Sequence, residues 1–561
     1  MSNGMRGTGG GQPGGTGSAV VPQGARVRWS DPLWWTVGNW AGRLLCLGAG
    51  QSARIAVFGV SEAGAADLAR ALAAPDLGAA VRGWPGAFGV VRAVDGRVEV
   101  LADAVGTVPV YWTRTATGVV WSTHARALAA LAGDGPDPAW LGAYLRDQRV
   151  PAARSAFAHV HRVPPGHRLV LTERGAGVSP WWSAPAPGPY MGAVARLRTA
   201  LTGAVRVRTG AGGPVSTDLA GMDSTTLTVL AERYGPVTGI TAHPRGVTAG
   251  GDLDFARTLT LPQLTRRTFE LTDRHLPFAE AELPATDQPP LSAHLWAMFS
   301  AQLAAGLPVH LTGDGGDHLF QPAPTHLADL VAHGRFLRAA RDAGQWARLR
   351  RISPVPLLRD AFARDVAALA ASGAGATAPW LTPGTACHRD PVDRNAAAAL
   401  TDSLRAAARR AQADTELAAS AAGVELHNPY HDAAVLDAVL AARSWERVSS
   451  TRYKPLLVDA FGDLLPARHR ARTTKGTFET SFHTGVRARL PHLLDHCDGQ
   501  LAALGLIRPE RLRAALHRAA LGARTPWRAL LAVYGAEIWL RAVGNAPAPT
   551  WTVLTPARRT P

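Results

Sequence analysis

Two acid-bearing segments hold the residues best suited to chemistry. The first, PVSTDLAGMDSTTLTVLAERYG, runs from Pro214 to Gly235. Val215 to Leu219 reads as a short strand, Ala220 and Gly221 are small enough for a close turn, and Leu227, Leu230, Ala231 and Tyr234 recur at helical spacing. A strand therefore turns sharply into a helix around Asp223, Ser224 and Thr225. A helix start offers unpaired N–H groups and about half a positive charge, which together attract phosphate; the alternative is that Asp223 or Ser224 only caps the helix. The second segment, LPVHLTGDGGDHLF, Leu307 to Phe320, repeats the design, its apolar run ending in Gly313, Asp314, Gly315, Gly316 and Asp317. If both runs are parallel strands of one sheet, their C-terminal ends open on the same edge, where open α/β sheets bind ligands. Asp223 and Asp317 would then face one pocket. Two carboxylates beside a phosphate repel it unless a cation lies between them, and Mg²⁺ is characteristically held by one or two carboxylates plus substrate phosphates. Asp218 precedes the turn and is expected only to tie down the loop.

These segments need a scaffold, and the chain is long enough for two or three domains: 561 residues, 47% of them hydrophobic. Residues 1–25 are rich in Gly and polar residues and are expected to form a disordered arm. Residues 26–185 carry short β-type runs with turn punctuation, such as SARIAVFGV and HRLVLTE. The Pro/Gly-rich stretch SAPAPGPYMG, Ser183 to Gly192, marks a boundary. From 190 to 545 strand candidates alternate with Ala/Leu/Arg helices, which predicts an α/β domain with a parallel sheet and a helical C-terminal part, followed by a tail over 546–561. No fixed-period repeat is present. The start of the sequence lacks an apolar signal segment and no window approaches about 18 uninterrupted apolar residues, so a soluble, cytoplasmic protein with no membrane partner is expected. Cys46, Cys387 and Cys497 are far apart, suggest neither disulfide nor zinc site, and are expected to be small core residues. The net charge of +16 invites a nucleic-acid reading. Against it, only two of the 59 basic residues are lysine, Lys454 and Lys475, and the arginines are scattered, as a GC-rich coding sequence would produce. No nucleic-acid partner is expected; an acidic or peptide partner stays open.

The two acidic segments resemble the pyrophosphate-binding loop, Ser-Gly-Gly-Leu-Asp-Ser, and the Gly-Glu-Gly-x-Asp segment of the asparagine-synthetase superfamily, which adenylates a carboxylate and then forms an amide. GVELHNPYHDAAVLDAVL is similar to that family's Val-Glu-x-Arg-x-Pro-Phe-x-Asp segment, placing Glu425, Pro429, Tyr430 and Asp432 on it, with His427 where Arg is usual. YKPLLVDAFGDLLPARHRARTTKGTF is similar to its K-x-x-L, L-P and R-x-K-x-x-F segment, while DAVGTVPVYW and HVHRVPPGHRL resemble class II glutaminase text. The resemblance spans Arg26 to Phe478. It implies an α+β, Ntn-type glutaminase-like β-sandwich domain joined to an α/β synthetase domain of the adenine-nucleotide α-hydrolase-like, PP-loop type with a helical C-terminal part. It also implies ATP and Mg²⁺, with Asp223 and Asp317 as metal ligands. Leu219, Ala220, Gly221, Met222, Asp223, Ser224, Thr225, Thr241, Thr312 and Gly313 would surround the nucleotide. Lys475 matches the family lysine that stabilises charge at the reacting acyl centre; Lys454 matches a second family lysine, and Asp314 sits where the family has Glu, or Tyr in β-lactam synthetase.

The departures from the family pattern narrow the reading. The loop here is Leu-Ala-Gly-Met-Asp-Ser, and the family's glutaminase uses a cysteine at the mature N-terminus, where this chain has Ser2. Glutamine hydrolysis is therefore not expected, and the amine must come from the substrate, as in β-lactam synthetases and lasso peptide cyclases. The phrase DLAGMDST, the absence of Tyr at Asp314 and the basic composition favour a lasso peptide cyclase, which closes a macrolactam on a precursor peptide and works beside a leader-peptide protease and a peptide-recognition protein. The alternatives are a β-lactam synthetase or other amidoligase, and a non-catalytic peptide-binding pseudo-synthetase.

Overall fold

The computed structural model of the chain describes all residues except 1–7, 13–18, 39, 41–42, 50–52, 117, 149, 211–212, 280, 322, 372–377, 384–394, 473–478 and 555–561. The first part is a sandwich of two six-stranded sheets. One runs in the order His161–Arg162, Tyr111–Thr115, Gly118–Ser122, Thr8–Gly11, Leu33–Val37, Arg26–Ser30. The other runs Gly175–Pro180, His167–Thr172, Arg97–Leu101, Gly86–Val94, Ala53–Ser61, Leu44–Ala49. Helix Ala65–Ala73 packs on the second sheet and Ala125–Ala132 on the first, so apolar strand faces meet in the middle and each outer face is covered by a helix.

The N-terminal arm is not without structure among the described residues, contrary to its composition. Thr8–Gly11 pairs with Gly118–Ser122 on one side and Leu33–Val37 on the other. Its glycines are what the site demands: a Cβ at Gly10 would run into the Trp35 ring and the Trp121 carbonyl, and one at Gly11 into Leu33 O. Ala19–Pro22 pairs antiparallel with Trp551–Leu554, so the tail also contributes a strand. Tertiary packing overrides a composition that, taken locally, cannot repay its ordering entropy.

The second part is built on five parallel strands in the order Leu264–Leu271, Val237–Pro244, Val215–Asp218, Val309–Leu311, Glu425–His427. Numbered along the chain this is 3-2-1-4-5, so the order reverses between Val215–Asp218 and Val309–Leu311, the switch point where doubly wound sheets take their ligands. Helix Met222–Glu232 packs on the sheet and Tyr190–Thr209 packs against that helix and Ala433–Leu440, and the chain continues in a helical region that includes Ala396–Ala422, Pro509–Ala520 and Trp527–Asn545. Among the described residues no helix is long and apolar enough to cross a membrane.

The two parts share their cores: Ala104, Val105 and Trp182 pack with Leu197, Leu201 and Leu436. The junction also carries a buried ion pair, Arg208 to Asp432, at 2.5 and 2.9 Å, and Asp432 accepts a further bond from Gly86 N at 3.0 Å. Removing one partner strands the other's charge away from water. Asp432→Ala is expected to lose about 3–5 kcal/mol in urea unfolding followed by tryptophan fluorescence, and pairing it with Arg208→Met should restore most of that loss.

Candidate active site

Strand Val215–Asp218 ends in a loop whose backbone is fixed before helix Met222–Glu232 begins. Leu219 N donates to Ile240 O at 2.8 Å, Thr241 Oγ1 donates to Leu219 O at 2.5 Å, and Ala220 N donates to Ser224 Oγ at 3.3 Å. Arg472, buried, donates to Ala220 O at 2.5 Å and pairs with Asp252. The loop carbonyls are thereby turned away and the first helical turn, with Asp223 in it, faces the sheet edge. Asp218 accepts from His310 Nε2 at 3.0 Å and from Gln302, while His310 Nδ1 lies 2.9 Å from Ser216 Oγ. It ties the loop down, as its position before the turn suggested.

The neighbouring strand ends in the loop Thr312–Gly316, which passes against Asp223. A Cβ at Gly313 would lie 3.0 Å from Ser224 N, and one at Gly316 would collide with the Asp223 carboxyl. Gly315, at φ +92°, leaves room for His431, whose Cδ2 a Cβ would approach to 2.5 Å. Gly313 and Gly316 let the second loop close onto the first, and Gly315 makes room for His431. Asp314 N donates to Thr312 Oγ1 at 2.9 Å and Thr312 N to His427 O at 2.9 Å, which orders the turn.

Asp223 and Asp317 do meet, and Lys454 stands between them. Its Nζ pairs with Asp223 Oδ2 and lies 2.7 Å from Asp317 Oδ1, with only 1% of the side chain exposed. Lys454 has a left-handed backbone, φ 45°, immediately before Pro455, the first residue of the next helix. Burial pulls the Lys454 pKa down, but Asp223 and then Asp317 outweigh it and the net shift is upward. Tyr430, fully buried, donates its hydroxyl to Asp223 O at 3.0 Å.

The structure thus brings together Leu219 to Thr225, Thr241, Thr312, Gly313, Asp223, Asp317 and Lys454. Asp314 is at the rim: its side chain is 44% exposed and reaches 3.8 Å from His431 Nε2. Lys475 lies outside the described residues, as does Cys387. Cys497 is buried, but Cys46 is exposed on edge strand Leu44–Ala49, so it is not the core residue expected from composition. Arg472 was visible in the sequence only as part of a motif, and His431 only as one of several isolated histidines of the kind that are usually structural; it is a buried histidine wedged under the glycine loop. Arg43 escaped the reading of the sequence: it comes from the first part, pairs with Glu425 and lies 3.3 Å from His427 Nε2.

Profiles of known families agree with this geometry. Residues 196–541 match the asparagine synthase family, more than half of the chain, and residues 80–182 match a glutamine amidotransferase domain. The chain belongs to the asparagine synthase family. It is an ATP-dependent, amide-bond-forming ligase carrying an Ntn glutaminase-like first domain. Among curated proteins none matches the chain. Similar solved structures include the glutamine phosphoribosylpyrophosphate amidotransferase from B. subtilis complexed with ADP and GMP, 10% identical, covering 52% of this chain and 77% of that one with a TM-score of 0.21. Another, the allosteric regulatory enzyme of purine biosynthesis, is 8% identical and covers 55% and 69% of the two chains with a TM-score of 0.22.

Two outcomes follow for this asparagine synthase-family site. Lys454→Met leaves two carboxylates facing each other without a counter-charge, and should cost about 3–5 kcal/mol; adding Asp223→Asn should recover part of that in denaturant titrations. His431, whose pKa burial lowers to about 4, stays neutral in the folded chain. Its unfolded value is about 6.5, so the unfolded state takes up the proton first and stability falls as pH drops from about 6.5 to about 4. The loss is roughly 3 kcal/mol, and His431→Leu should lose less stability than wild type between pH 7 and pH 4.

Proposed function

We propose that the protein is a lasso peptide cyclase: it adenylates an Asp or Glu side chain of a precursor peptide and joins it to the peptide's N-terminal amine. The observation that carries the ligase chemistry is the meeting of Asp223, Asp317 and Lys454 at the switch point of the parallel sheet. The donor set suits ATP with Mg²⁺: two converging carboxylates beside a helix start, with Gly313 and Gly316 leaving the space a Cβ would occupy. Asp223 and Asp317 would hold the cation, which when bound neutralises phosphate charge. Asp223 and Ser224 at the helix start would offer N–H donors to the phosphates, and Lys454 would supply a further cation.

In the first step a carboxylate oxygen of the peptide attacks the α-phosphorus and pyrophosphate leaves. In the second the amine nitrogen attacks the acyl carbon, AMP leaves with the bonding electron pair, and the amine gives up its proton. Holding amine and activated acyl group together supplies the proximity contribution, up to about 7–11 kcal/mol. Lys475 is assigned to the charge that develops at the acyl centre.

A substrate-borne amine is favoured over ammonia by where the thiols of the described residues lie. Of these, Cys46 is on an outer edge strand and Cys497 in the helical C-terminal region, far in sequence from the strand Thr8–Gly11 that fills the middle of the first sheet. A leader-peptide protease and a peptide-recognition protein are the proposed partners, and the cytoplasm the proposed compartment.

The test is incubation of the full chain with ATP, Mg²⁺ and candidate precursor peptides, reading pyrophosphate release and loss of one water from the peptide by mass. Wild type should give both. Asp223→Ala and Lys475→Ala should each reduce turnover by about 10²-fold or more, Lys475→Ala while still binding ATP. Unchanged rates in the variants would remove these roles, and pyrophosphate release without peptide dehydration would remove the cyclase reading.

A further inference from the structure

A cavity of about 320 Å³ lies between the two domains, on the far side of edge strand Glu425–His427 from the rest of the parallel sheet. That volume is at the lower end of the range of ligand pockets, enough for one or two residues of a peptide. Its walls are apolar, with Trp40, Phe58 and Val108 from the first domain facing Leu426 of the second. Its polar lining includes unpaired acceptors. Gln412 and Asn428 are buried, 6% and 5% exposed, and each has a side-chain oxygen with no hydrogen-bond partner among the described residues.

The charges on the lining point the same way. Both guanidinium groups are already committed, Arg43 to Glu425 and Arg208 to Asp432. Glu416 is different. It hydrogen-bonds only neutral donors among the described residues, Asp287 N at 2.8 Å and Gln412 Nε2 at 3.0 Å. Burial and the neighbouring Asp287 push its pKa up to about 7, although His124 opposes this. His124 and Glu416 line this wall and cluster with Asp287 behind it. Asp287 there caps helix Ala125–Ala132, accepting from Ala125 N at 2.9 Å and Arg126 N at 2.8 Å, so that oxygen pair is in structural use.

Buried acceptors without donors are costly, at about 1–3 kcal/mol each. A ligand that relieves them must bring N–H groups, preferably cationic ones, on an apolar body. We propose that this cavity is the amine-binding site, taking the free N-terminal amine of the peptide together with the apolar residue next to it. The inference rests on the cyclase reading for the identity of the peptide, but not for the chemistry of the pocket. Asn428 lines the cavity and Tyr430, two residues on, donates its hydroxyl to the backbone of Asp223, so one short segment borders both the cavity and the nucleotide site.

Calorimetry on the full chain with glycyl-phenylalaninamide, and with its N-acetylated counterpart as control, tests the site. The free amine should bind, and acetylation should weaken binding by about tenfold or more, the factor expected for losing about 1.4 kcal/mol. Ala419→Phe, which adds a ring at a lining position, should weaken the free-amine dipeptide by a similar factor and leave ATP binding unchanged. Equal affinity for the two dipeptides, no binding of the free amine, or undiminished binding by the variant overturns the assignment. Because the readout is binding, it is separable from turnover. A chain that discriminates the free amine yet cyclises no peptide keeps the amine site and loses the cyclase reading; a chain that cyclises without discriminating loses the site alone.

Discussion

The ammonium of Lys454 between Asp223 and Asp317 is the constraint around which the synthetase domain is arranged. Two carboxylates cannot be driven together in a partly buried cleft unless a counter-charge holds them, because their repulsion grows as water is excluded. One lysine satisfies the pair in part and leaves the cluster with a net negative charge. Local features serve this contact: the reversal of strand order that puts both loops on one edge, the glycines that let Gly316 pass against Asp223, and the left-handed backbone of Lys454 ahead of Pro455. A cation-bearing polyphosphate would meet there the remaining negative charge and the start of a helix.

The first domain supports the second through polar contacts that a loosely tethered module would not make. Asp432 is held simultaneously by Arg208 and by Gly86 N, and Arg82 and Trp182 both reach Asp437 at 3.0 Å. These anchors fix helix Ala433–Leu440 and, with it, the segment Asn428–His431 that lies between the nucleotide site and the interdomain cavity. A domain with a glutaminase fold thereby acts as one wall of a substrate site, through Trp40, Arg43 and Phe58.

How much of this was legible in the sequence follows from which interactions are local. The convergence of Asp223 and Asp317 could be read because each follows a short apolar run and a small-residue turn, and parallel strands put such turns on one edge. The bridge by Lys454 could not: it spans 231 and 137 positions, and nothing near Lys454 announces a left-handed backbone. The glycine-rich arm misled for the opposite reason. Its composition describes a chain with little to bury, whereas Gly10 and Gly11 are needed because tryptophans from neighbouring strands leave no room for a side chain. Cys46 was expected inside on grounds of residue type, yet it falls on the outermost strand of its sheet and is exposed there. Motif resemblance put Lys454 beside Asp223 and Asp317 because it compares long-range partners that residue-by-residue periodicity cannot see.

The most direct test of the central claim is uptake of Mn²⁺, in place of Mg²⁺, by the full chain in the presence of ATP, read by electron spin resonance. If Asp223 and Asp317 share one cation with the nucleotide, wild type takes up Mn²⁺ only when ATP is added, Asp223→Asn and Asp317→Asn each abolish it, and the double substitution does no further harm. Undiminished Mn²⁺ uptake by either single variant would contradict the account.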